Sequence, residues 1–106
     1  MDWKNIKLHG AGGISRLCGV YEIHDIMRVP EGKYKIKVLQ QAAEDFIALP
    51  NICVKSVDGT PEWPSGSGRT EMEALEKALE ALSSDLATLN GNLERDRFEW
   101  SDPTEF

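Results

Sequence analysis

GSGRTEMEALEKALEAL, residues 66–82, decides the fold, because it sets two glycines directly against the clearest helical pattern in the chain. Thr70 followed by Glu73 forms a capping box, in which the Thr hydroxyl satisfies an orphan amide and the Glu side chain reaches back. Leu75, Leu79, Leu82, Leu86 and Leu89, with Ala78 between, fall on one stripe at helical spacing, and Glu73 and Lys77 pair at i, i+4. Asn90-Gly91 supplies the left-handed residues that close a helix. The stripe lasts barely two heptads, so it is expected to lie on a sheet as core rather than to form a coiled-coil seam. Glycines ahead of a helix also raise the question of a phosphate cradle. The dinucleotide fingerprint needs a third glycine where Glu71 stands, and the other phosphate loop needs Gly-Lys-Ser/Thr where the chain reads Gly68-Arg69-Thr70. Glu71, Glu73 and Glu76 complement the helix dipole but repel a phosphate. The glycines are therefore read as the flexible end of a long loop, residues 56–69, which holds two prolines and three glycines and has no periodicity.

Working back from that loop, the chain reads as strands. SRLCGVYEIHDIM, residues 15–27, alternates, and Val29-Pro30-Glu31-Gly32-Lys33 carries turn residues leading into YKIKVLQQ. In that second strand Tyr34, Ile36 and Val38 share a face opposite Lys35 and Lys37, the pattern of a sheet buried on one side. A third apolar segment, residues 46–54, is broken by Pro50, which cannot donate to a ladder; it is expected at an edge, bent or interrupted. Asp2 caps a short first turn carrying Trp3 and Ile6, and His9-Gly10-Ala11-Gly12-Gly13 makes a flexible corner. Trp63 is expected to pack as a loop anchor, with an exposed binding aromatic as the alternative.

The predicted fold is α+β: a three-stranded antiparallel sheet in β-β-β-α order, one long amphipathic helix on one face, a short N-terminal helical turn and a C-terminal acidic tail. The chain of 106 residues is read as a single domain, residues 1–106, with residues 91–106 extended or docked through Phe98, Trp100 and Phe106 onto this chain or a partner. Deleting residues 98–106 is expected to weaken partner binding or dimerisation while leaving helicity intact. No apolar run approaches the length of a membrane helix, and the N-terminus lacks a secretory pattern, so a cytoplasmic protein is expected.

Charge directs the functional reading. Residues 1–70 hold nine Lys/Arg and eight Asp/Glu, whereas residues 71–106 hold three and ten, so the net charge of −6 is C-terminal. That asymmetry fits a basic partner, met by electrostatic steering, although a solvated helix face explains the same acids. The residues expected to carry the contact are Glu76, Glu80, Asp85, Glu94, Asp96, Glu99 and Trp100. His9 and His24 lie in no metal-ligand spacing, and Cys18 and Cys53 are isolated, fitting reduced thiols, with a disulfide between them as the alternative. His24-Asp25 has no activated nucleophile to serve. No catalytic residue, cofactor or metal is expected, and a homodimer is an open alternative. Arg28, Lys33, Lys35 and Lys37 offer a second function, direct binding of RNA or DNA on the sheet face, against the plainer reading of a solvated strand.

The order of a strand hairpin, then Phe46-Ile47-Ala48-Leu49-Pro50-Asn51-Ile52, then Gly68-Arg69-Thr70-Glu71-Met72-Glu73-Ala74-Leu75 with Ala78 following, resembles the small α/β domain of the HicB antitoxin family over residues 34–82. There a strand ending in a proline-containing segment precedes G-x-T-x-x-E-A-L and a helix. The resemblance implies a partial ribonuclease-H-like or double-stranded-RNA-binding-like layout that masks a small basic RNA-cleaving toxin. Together with the acidity it implies a non-enzymatic protein that binds and inhibits a basic nucleic-acid-acting partner, as an antitoxin or as a phage-encoded inhibitor of the anti-CRISPR type.

Overall fold

The structure is a computed structural model and describes residues 6–91, 93–102 and 106. The expected first turn at Asp2 and Trp3 lies outside the described residues. Among the described residues, seven strands and one α-helix follow in the order β1 (Arg16–His24), β2 (Lys33–Ala42), β3 (Asp45–Pro50), β4 (Ile52–Lys55), β5 (Pro61–Glu62), β6 (Gly66–Gly68), α1 (Glu71–Ala87), a 3-10 turn (Arg95–Arg97) and β7 (Phe98–Trp100). The α+β class stands, with one α-helix and antiparallel sheets. The sheet has four strands instead of three, β1-β2-β3-β6, and a second sheet of three strands, β5-β4-β7, lies beyond it.

The β1–β2 hairpin forms where the alternation predicts it. Asp25 N–H donates to Gly32 O at 2.8 Å, and Gly32 takes φ +76°, which only glycine adopts without strain. Val29, at the expected turn, is buried in the core instead. Tyr34, Ile36 and Val38 all point into the core, as their spacing predicts. The register pairs Ile36 with Pro50 and Val38 with Ala48, so β3 contributes to the same buried face.

Pro50 interrupts the third apolar segment, but the consequence is a change of sheet. Asn51 makes the corner: its amide donates to Lys35 O, its side-chain Oδ1 accepts from Lys35 N–H, and its carbonyl accepts from Ser101 N–H, each at 2.9 Å. Beyond it Ile52, Cys53 and Val54 are buried in β4, the centre of the second sheet. β3 is not an edge, because residues 66–68 pair with it: Ala48 faces Gly66 and Phe46 faces Gly68.

The expected long loop thus contains strand β6, and its glycines are tightly packed. A Cβ on Gly66 would overlap the backbone of Ala78 and Ala74, and one on Gly68 would lie 2.9 Å from Ala74 N. Glycine permits this close approach of strand to helix, and Ala74 and Ala78, both wholly buried, complete it. The alternation signal fails over residues 66–68 because a strand made of Gly-Ser-Gly has no apolar side chains to alternate.

α1 starts as predicted. Thr70 is the N-cap, φ −131° and ψ 160°, and its hydroxyl accepts from Glu73 N–H at 3.1 Å. Leu82, Leu86 and Leu89 are buried, and Leu75 and Leu79 pack against the core at its margin. Beyond the helix, Asn90 (φ 50°) and Gly91 (φ 83°) take the left-handed conformation expected of them. In place of an acidic tail the chain turns through residues 95–97 into β7. There Phe98 is 3% exposed and pairs with Val54, and Trp100 pairs with Ile52.

Candidate partner interface: carboxylates around the helix and an aromatic cleft

The seven expected contact residues do not form one surface. Glu76 and Glu80 stand exposed one helical turn apart on α1, so their carboxylates project from the side away from the leucine stripe. Asp85 lies nine positions beyond Glu76, about 180° round the helix at about 100° per residue. It is half-buried, and its carboxyl is held above the ordinary range, first by burial and then by the negative charge of Glu62 on β5. Asp85 and Glu62 share a shallow groove with Lys55, Val57, Thr88 and Arg97.

Glu94 and Asp96 are exposed around the 3-10 turn. Glu99 lies on β7 opposite Cys53, with Oε2 3.6 Å from Lys55 Nζ. Its charge and that of Asp85 both reach Cys53. That thiol is wholly buried and is pushed up to about 11, chiefly by burial, while backbone hydrogen bonds at Glu62 and Glu99 oppose the rise. Apart from Glu94 and Asp96 at the 3-10 turn, the carboxylates form two groups: Glu76 and Glu80 on the outer helix, and Asp85, Glu62 and Glu99 around the β4 end of the second sheet. Trp100 belongs to neither. It is half-buried and packs against the core.

Trp100 instead lines a cleft of about 400 Å³ with Lys37, Leu49, Pro50, Trp63 and Phe106. Phe106 places its ring 4.5 Å from Lys37 Nζ, a cation–π contact. Trp63 is 45% exposed and does not pack on the core as the expected loop anchor; it is a wall of this cleft. Trp100 and Phe106 were grouped by the sequence, but nothing local joined them to Trp63, which lies 37 and 43 residues before them. They meet because β4 carries the second sheet, with its partner β7, past the end of β3.

The sheet-face cations are differently placed. Arg28 turns toward the helix, where Nε donates to Asp25 Oδ2 at 2.9 Å and an Nη to Ser83 Oγ at 2.8 Å. Asp25 is thereby engaged by Arg28 instead of polarising His24, whose Nε2 is 3.6 Å from Glu22. Lys33 lies 3.4 Å from Glu22, whereas Lys35 is exposed. Glu71, at the first position of α1, accepts a hydrogen bond from the Tyr21 hydroxyl, tying β1 to the helix start. That bond and burial raise the Tyr21 pKa.

Cys18 and Cys53 are both free thiols; Cys18 sits at the bulge where the β1–β2 register shifts. No cluster of three or more His, Cys, Asp or Glu suited to a metal is found among the described residues. No helix among them is long and apolar enough to cross a membrane. No family model, curated protein or solved structure matches this chain.

Proposed function

We infer that this protein is a non-enzymatic interaction module that binds, and inhibits, a basic nucleic-acid-acting protein. The observation that carries this reading is the outer face of α1, where Glu76 and Glu80 are exposed in tandem while the opposite side of the helix is committed to the core. Exposed carboxylates on a rigid, capped helix attract a basic surface over distances of about a Debye length and raise the association rate. The resemblance of residues 34–82 to the HicB antitoxin domain supports the same reading, with a basic RNase toxin as the partner. A phage-encoded inhibitor of a defence nuclease has the same charge requirement. The test is to recover the partner by affinity capture on the full chain and measure its association with Glu76→Lys/Glu80→Lys. A slower and less salt-sensitive association supports the reading, and an unaltered, salt-independent on-rate overturns it.

A second reading has its own observation. Lys37 lies beside Trp63, Trp100 and Phe106 in one cleft, and lysines interleaved with aromatics are how single-stranded nucleic acids are held without sequence preference. A low-salt titration with single-stranded RNA separates the two, since the acidic-module reading predicts no shift.

A further inference from the structure

β1 is an edge strand of nine residues, and its open side is unusually apolar. Leu17 is 55% and Val20 44% exposed, and just past its end Ile26 and Met27 are 76% and 79% exposed. The register puts Leu17 beside Leu39 and Ile47, and Val20 beside Lys37 and Leu49, on the sheet face that α1 does not cover. No proline or lysine interrupts β1; its edge protections are the bulge at Cys18 and the charges of Arg16 and Glu22, which leave the stretch around Val20 open.

The direction of its free backbone groups follows from the hairpin. Asp25 bonds to Gly32, so in the antiparallel alternation Ile23 and Tyr21 turn their backbone groups toward β2, and His24, Glu22 and Val20 turn theirs to the open edge. An antiparallel strand centred on Val20 would meet those groups. If that strand is β1 of another molecule, the start of each β1 lies against the end of the other. Ile14 then approaches the partner copy's Ile26–Met27 turn, and Leu17 approaches its Ile23, while Arg16 meets an end where Glu22 already faces Lys33 and His24 and Asp25 faces Arg28. The exposed apolar residues at the two strand ends meet under one two-fold axis perpendicular to the sheet, as an isologous interface requires, whereas a parallel pairing does not close about such an axis.

We propose that a second copy of this chain pairs with the open edge of β1, antiparallel about Val20, to make a continuous eight-stranded sheet across a two-fold dimer. The interface is independent of the acidic face of α1, so the dimer and the basic partner bind different surfaces.

Sedimentation equilibrium and hydrogen exchange on the full chain test it. The expected result is a reversible dimer in which the Val20, Glu22 and His24 amides become more protected as concentration rises. Val20→Lys, which sets two ammonium groups against each other at the axis, should weaken dimerisation by at least about tenfold. Met27→Lys, in an exposed turn outside the core, should weaken it without altering the melting temperature at concentrations where the chain is monomeric, so a folding defect in the first variant leaves the second decisive. A monomer throughout the micromolar to millimolar range overturns the proposal. So does a dimer that survives both substitutions, or one whose three edge amides exchange at the same rate at every concentration.

Discussion

Gly66 in β6 has no room for a side chain against Ala78 in α1: a Cβ there would overlap the Ala78 amide nitrogen and the Ala74 carbonyl oxygen, with the Lys77 carbonyl carbon 2.8 Å away. All three are backbone atoms, so no rotamer change on the helix relieves the overlap. Gly66→Ala is therefore expected to destabilise the fold by about 3 kcal/mol or more, at or above the upper end of ordinary overpacking. Adding Ala78→Gly should not rescue it, because the Ala78 methyl is not what the new atom meets. Gly12→Ala, where nothing lies within 4 Å, should be near neutral. Urea denaturation of the three variants checks this; a rescue by Ala78→Gly would mean that the strand–helix contact is wrongly placed.

The cap of the same helix is worth less. Thr70→Ala removes the acceptor for Glu73 N–H and should cost about 1 kcal/mol. Leu82→Ala, in the middle of the stripe and wholly buried, should cost about 2–5 kcal/mol. The ratio of the two, measured in one denaturant series, separates local helix signals from packing as the source of helix stability.

What was legible in the sequence follows that division. Thr70 and the leucines each carry a local signal and behave in the structure as their chemistry predicts; Asn90-Gly91 are left-handed as expected, but the helix has already ended at Ala87, with Thr88 as its C-cap. The β1–β2 hairpin was legible for the same reason, since Tyr34, Ile36 and Val38 alternate with lysines. The fourth strand was not, because Gly66-Ser67-Gly68 earns its place through backbone contact with a helix later in the chain, and periodicity does not register a missing side chain. The second sheet was half visible: Pro50 marks the interruption, but nothing local tells that Asn51 turns the chain into a new sheet. Of the candidate site, the exposure of Glu76 and Glu80 was legible from helical phase. The burial of Asp85 was not anticipated, although its phase, about 180° from Glu76, already set it apart.

Phe98 is the residue for which sequence position misleads most. Eight residues before Phe106, in an acidic stretch, it reads as part of a tail, yet it is 3% exposed and pairs with Val54. Phe98→Ala should cost about 3–5 kcal/mol, as for other buried aromatics. Removing residues 98–106 should destabilise the whole fold, contrary to the expectation that helicity survives that deletion. Thermal melts followed by circular dichroism decide: an unchanged melting temperature for Phe98→Ala would mean that β7 is not part of the folded unit.

The two thiols should differ in reactivity. Cys53 is wholly buried and pushed up to about 11, so at pH 8 only about one in a thousand is the nucleophilic thiolate. Cys18, half-buried at the β1 bulge, has no such protection from solvent. A thiol-specific reagent added to the native protein should label Cys18 first, with Cys53 following only on unfolding. Mass spectrometry of the labelled chain reads this directly, and equal rates would contradict the burial of β4.

Asp85 gives a pH dependence whose sign is opposite to that of a paired carboxylate. Burial and Glu62 raise its pKa in the folded state, so the folded chain holds this proton more tightly than the unfolded chain does. Stability from this group is therefore fully present below its unfolded pKa, about 3.9, and is lost as pH rises through the raised folded value. At neutral pH the half-buried charge is a net cost, and Asp85→Asn should make the protein more stable there. The gain should shrink as the pH is lowered toward the unfolded value, because the wild-type carboxyl is then protonated too. Glu76→Gln, on the exposed side of the same helix, should leave stability within about 0.5 kcal/mol of the wild type, as for ordinary surface substitutions. Denaturation of both variants at pH 7 and near pH 4 distinguishes these outcomes. If Asp85→Asn destabilises at pH 7, the carboxylate has a stabilising partner in the folded state, and the Asp85–Glu62 pair is not the strained element of the acidic surface.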